Sequence, residues 1–202
     1  MRTGYRNYLS LNHEHKTIPY GGTGEVREDG DANYGFRDIK GDNTLLSSIP
    51  ELQRDAALMA LVQAINAPQT GIFSIGCVSH NIEDKNHFRH SGYIEFSFNS
   101  ASRIADADNY FPIFFNFERL LDQSSFAPRV EFNWELYFST FIDKGVSGYT
   151  CRINLNTYFC ETRQAAQQAW EDTLEVLGTY LGRISNQHED HIFPGSVTPG
   201  AT

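Results

Sequence analysis

Val130-Glu131-Phe132-Asn133-Trp134-Glu135-Leu136-Tyr137-Phe138-Ser139 alternates apolar and more polar residues along its length. A period of two fits a strand with one buried face. The segment 148–160 repeats the pattern: Cys151, Ile153, Leu155 and Phe159 alternate with Arg152, Asn154, Asn156 and Tyr158. Between the two, Asp143-Lys144-Gly145-Val146-Ser147-Gly148 has the composition of a hairpin connection. A third run, 92–99, sets Ile94, Phe96 and Phe98 against Tyr93, Glu95, Ser97 and Asn99. Alternation of this kind belongs to antiparallel sheets with one dry and one wet face.

Something must cover the dry faces, and two amphipathic segments suit. Residues 48–66 carry Leu58, Leu61, Val62 and Ile65 at helical spacing. Ser48 and Glu51 have capping-box spacing there, and Pro50 fits a first turn. Residues 163–184 carry Ala166, Trp170, Leu174, Leu177, Leu181 and Ile184 behind Thr162, a good N-cap. Shorter strands read over 5–12 and 71–78, and 79–91 reads as a polar, turn-like stretch. Residues 110–122 fit either a helix or, over 111–117, a strand.

The fold expected is therefore α+β: a mainly antiparallel sheet of about five strands with two long amphipathic helices packed on one face. Residues 1–185 form one domain in this reading. Within it, 21–43 holds six glycines and few apolar anchors. It reads as a long glycine-rich, acidic loop, a candidate for mobility. Residues 186–202 read as a flexible C-terminal tail.

Acidic residues outnumber basic ones by 25 to 16, for a net charge of -9. Such a surface repels phosphate backbones, so nucleic-acid binding by generic charge attraction is not expected, and a partner with a basic surface suits it better. No run approaches the ~20 apolar residues of a membrane span, so no membrane association is expected. The first residues lack the apolar core of a signal peptide. Cys77, Cys151 and Cys160 are odd in number and read as free thiols of a reducing compartment, hence a cytoplasmic protein.

The wet sheet face gathers the candidate functional residues: Glu95, Asn99, Glu131, Asn133, Glu135, Tyr137, Arg152, Asn154, Asn156 and Tyr158. Asn and Tyr form hydrogen bonds at low cost in side-chain entropy, and Tyr is enriched at interfaces. Arg152 is placed to meet a glutamate on a neighbouring strand. Glu131 and Glu135 lie about 13 Å apart along one strand, too far for a glycosidase pair. His13-Glu14-His15 has metal-like spacing but no third ligand nearby. Gly21-Gly22-Thr23-Gly24 lacks the lysine and helix of a phosphate loop. Cys77 lies in an apolar run and reads as a buried thiol.

No catalytic signature stands out. The expected function is a non-enzymatic binding module of inhibitor, immunity or adaptor type, an argument by analogy. It would hold a protein partner through Glu131, Asn133, Glu135, Tyr137, Arg152, Asn154, Asn156 and Tyr158, or through its acidic surface. Neither cofactor nor metal is expected, and exposed sheet edges would permit homo-oligomers. The alternative is a small enzyme or ligand sensor with a pocket over the sheet face lined by Glu131, Glu135, Arg152 and Tyr158. A closed pocket there with a buried carboxylate beside Arg152 favours the alternative. A flat, wet face favours the binding module.

Overall fold

The computed structural model describes residues 4–22, 25–26, 32–186 and 190–193. The alternating segments form the centre of a five-stranded sheet. Its strands are β1 (Tyr5–Ile18), β4 (Ile72–Asp84), β5 (His87–Phe98), β6 (Val130–Phe141) and β7 (Val146–Thr157), in the order β1-β6-β7-β5-β4. A separate two-stranded ribbon pairs β2 (Glu25–Val26) with β3 (Ala32–Asn33).

The sheet is mixed, not mainly antiparallel. β6, β7, β5 and β4 pair antiparallel, but β1 runs parallel to β6, from Tyr5 beside Val130 to Ile18 beside Phe141. A strand's own side-chain pattern does not encode the direction of its neighbour. Only the long excursion between β1 and β6 sets it.

Two hairpins hold the register. β6 turns into β7 through Ile142–Lys144 and Gly145, whose φ of 62° is the left-handed conformation glycine adopts most cheaply. β4 and β5 meet at Lys85-Asn86, both with positive φ. That two-residue turn suits the twist of paired strands. The polar stretch 79–91 is thus mostly strand, projecting beyond the core with its side chains largely exposed. β7 ends at Thr157, so Tyr158 and Cys160, which the alternation places within the strand, lie past its end.

Five α-helices are present among the described residues: α1 (Pro50–Arg54), α2 (Ala56–Ile65), α3 (Ala101–Ile104), α4 (Phe111–Gln123) and α5 (Arg163–Leu181). The expected pair of long helices is corrected in two ways. The segment 48–66 breaks at Asp55, whose side chain caps α2 by accepting from the Leu58 N–H at 2.9 Å. The ambiguous 110–122 is a helix, and it joins the layer as α4. Its Phe117 packs on Phe132 and Trp134 of β6, with ring centroids 5.0 and 5.5 Å away.

α5 is tied to both neighbours: Trp170 Nε1 donates to Asp55 at 2.7 Å, and the Tyr180 hydroxyl donates to the Ile113 carbonyl at 2.6 Å. Trp134 and Trp170 are buried in this core. Truncating either to alanine would cost about 3–5 kcal/mol.

The second sheet face is not left uncovered. At the end formed by Phe73, Ser97 and Phe141, Phe193 packs on Phe73 (4.7 Å) and Phe36 (5.8 Å). Asn99 clamps Phe193 through a reciprocal pair, its amide donating to the Phe193 carbonyl and its carbonyl accepting the Phe193 N–H. Asn99 is therefore a buried structural clamp and not part of a wet surface. Ile192 and Phe193, read as tail, and Ile39 and Lys40, read as loop, are buried. The rest of those two stretches falls partly outside the described residues. No helix among the described residues is long and apolar enough to cross a membrane.

Candidate functional site

Arg152 faces two glutamates across the sheet, Glu135 on β6 and Glu95 on β5. It pairs with Glu95. Its Nε and Nη2 donate to Glu95 Oε2 at 3.3 and 3.2 Å. Thr150, one step along the same face of β7, donates to Oε1 at 2.8 Å. Lys16 Nζ reaches both carboxylate oxygens at 2.8 Å. Glu95 is only 3 % exposed. Burial of a carboxylate is tolerated where charge-assisted hydrogen bonds use its lone pairs in this way.

Lys16 comes from the far edge strand. β1 continues six residues past the predicted end, with an irregularity between Asn12 and His15 that restores Lys16 to the polar face beside Ser139. Beyond Ile18 the chain reaches across to β4, where the Tyr20 hydroxyl donates to the Ile75 carbonyl at 2.9 Å. Gly76 makes room for this. A Cβ there would stand 2.8 Å from the Tyr20 hydroxyl and 3.7 Å from that of Tyr93.

Aromatic rings frame the cluster. Lys16 Nζ sits 3.3 Å from the Tyr137 ring centroid, and the Arg152 guanidinium 4.2 Å from that of Tyr93. The Tyr137 hydroxyl donates to Glu135 at 2.7 Å, and the Asn133 amide donates to the same carboxylate at 3.2 Å. Burial first, then this bond to Glu135, lifts the Tyr137 hydroxyl well above its ordinary pKa. Burial pulls the Lys16 ammonium down while Glu95 opposes it. Burial also pulls on Arg152, but Glu95, Tyr93 and Tyr137 together outweigh it and raise its pKa.

Beside this cluster lies a cleft of about 240 Å³ lined by Lys16, Ile18, Tyr20, Ile75, Tyr93, Glu95 and Arg152. Of the eight expected site residues, Arg152 alone lines it. Glu135, Tyr137 and Asn133 form the adjoining hydrogen-bonded layer. Asn154 lies between Tyr93 and Asn133 in register. Glu131, Asn156 and Tyr158 sit toward the other end. There Glu131 meets exposed Arg6 at 3.7 Å, Asn156 accepts from Ser91 at 2.7 Å, and Tyr158 carries Arg129 at 4.9 Å from its ring.

The alternation of 92–99 already put Glu95 on the right face. Lys16 and Tyr20 were missed because nothing local in 13–20 signals that the chain folds back over the sheet; Thr150, two residues from Arg152 in β7, shares its face and was readable from the alternation of 148–160.

Elsewhere, a cleft of about 410 Å³ between the β4–β5 hairpin and α5 is lined by Arg89, His90 and Arg163, with Arg163 paired to Glu83. Among the described residues no group of three or more His, Cys, Asp or Glu is arranged to hold a metal ion. The sequence matches no protein-family model, and no curated protein or solved structure is significantly similar to it.

Proposed function

We propose that the chain is a binding domain, and that the cleft beside Glu95 receives an anionic group of a small ligand. One observation carries this reading. Of the three ionised side chains lining the cleft, the carboxylate is the buried one, with Glu95 at 4 % side-chain exposure against 21 % for Lys16 and 27 % for Arg152. What the cleft offers to solvent is cationic, within a chain of net charge -9. Low-dielectric walls focus such a local field. Glu95 also holds both cations in place, so little side-chain entropy is lost when a ligand arrives. Tyr20, Tyr93, Ile18 and Ile75 would pack the apolar body of that ligand.

A second reading, a protein partner on the open half of the same face, is favoured by Asn133 Oδ1, a buried acceptor without a donor.

Calorimetric titration with propionate and with inorganic phosphate at low ionic strength tests the first reading. Saturable binding to the wild type, at least tenfold weaker in Arg152→Met, is the expected result. Absence of saturable heat with both anions, or equal affinity in the variant, would overturn it.

A further inference from the structure

We infer that a second pocket, contiguous with the anion cleft, is a subsite for an alkylammonium group held by Glu51. The pocket has a volume of about 60 Å³ and is lined by Glu51, Tyr34, Tyr20, Tyr93, Cys77 and Arg37. That is several times the ~10–15 Å³ a single water needs, and it suits a small cationic head. Tyr20, Tyr93 and Ile75 line both pockets.

Glu51 Oε2 is buried without a hydrogen-bond partner. A buried carboxylate oxygen lacking a donor is costly, and a ligand that supplies one recovers the cost. The sequence would have Glu51 close a capping box with Ser48. In the structure Ser48 donates instead to the Leu45 carbonyl at 2.6 Å, and Ile49 is the N-cap of α1. Glu51 thus stands at the second helical position, with that oxygen unused.

The neighbouring groups do not compete for it. Asp55 is engaged by the Leu58 N–H and by Trp170 Nε1. Burial pushes the Cys77 thiol up to about 12, so it stays neutral beside Glu51. Arg37 is exposed at the rim, and no ion pair joins it to Glu51 among the described residues. Three tyrosines and a carboxylate are the chemistry that recognises ammonium ions, through ring quadrupoles and one charge-assisted hydrogen bond. The chain's net charge of -9 attracts such a ligand.

The test is an NMR titration of the full chain with ethylammonium chloride against sodium chloride of equal ionic strength, following the tyrosine ring signals. Saturable shifts of Tyr34, Tyr20 and Tyr93 are expected, with affinity at least tenfold lower in Glu51→Gln. Lys16→Met should bind ethylammonium as the wild type does, because Lys16 lines only the anion cleft and sits over Tyr137, which is not part of this pocket. Wild-type circular dichroism for Glu51→Gln shows that its fold is kept. No saturable shift in the wild type, or undiminished binding in folded Glu51→Gln, overturns the subsite. Loss of propionate binding alone leaves it standing.

Discussion

Replacing Glu95 by alanine should be among the most destabilising single changes on the polar sheet face. The carboxylate accepts five hydrogen bonds, two from Lys16, two from Arg152 and one from Thr150. Without it, two part-buried cations are left with only Glu135 nearby, a carboxylate already engaged by Tyr137 and Asn133. Breaking a buried pair in this way costs about 3–5 kcal/mol, because the remaining charge stays desolvated. Lys16→Met is milder, about 1–3 kcal/mol, since Glu95 keeps Arg152 and Thr150. For a chain of this size 1 kcal/mol moves Tm by roughly 2–4 °C, so Glu95→Ala should lower it by roughly 6–20 °C. Urea unfolding followed by fluorescence of the buried Trp134 and Trp170 measures the loss. The decisive comparison is the triple variant Glu95→Ala/Lys16→Met/Arg152→Met. Removing the stranded cations should make it more stable than Glu95→Ala alone. A loss below about 1 kcal/mol for Glu95→Ala, or a triple variant less stable than the single one, would show that Glu95 does not offset the two cations.

Three further outcomes follow from other parts of the fold. Lys40→Met should cost about 2–4 kcal/mol by urea unfolding, because Lys40 Nζ donates to the carbonyls of Ala67, Thr70 and Ile72 and to the Thr70 hydroxyl. Asp190 is held below the usual carboxylate range by the Ser102 N–H first and the Ser102 and Ser100 side chains next. A depressed folded-state pKa gives stability that is complete above about pH 4 and lost as pH falls below it. The amide protection factors of Ser102 and Phe193, taken against intrinsic exchange at each pH, should therefore fall on acidification in the wild type, and this pH dependence should flatten in Asp190→Asn. Gly76→Ala should weaken propionate binding in calorimetry while costing only about 1 kcal/mol, since the added Cβ displaces the Tyr20 hydroxyl, the free end of a side chain.

The central strands were legible because their burial has a period of two: Val130, Phe132, Trp134 and Leu136 turn inward, as do Cys151, Ile153 and Leu155. The same periodicity put Glu95 and Arg152 on one face, the ion pair at the centre of the cluster. Three things were not legible. The parallel pairing of β1 depends on a connection of more than a hundred residues and leaves no mark on Tyr5–Ile18. The break at Asp55 looks like a continuous helix because apolar periodicity persists on both sides of it. The partial cover of the second face comes from Phe36, Ile39 and Phe193, isolated anchors in glycine- and polar-rich stretches. Composition weighs such stretches by their average, while packing depends on the few large side chains they hold.

Two-dimensional NMR of the chain titrated with propionate checks whether the cleft beside Glu95 is the anion site. Saturable shifts should centre on Thr17, Tyr20, Tyr93 and the Arg152 side chain, the residues around the buried Glu95. Shifts centred instead on Arg89 and Arg163 in the cleft beside α5, or no saturable shift at all, would contradict it.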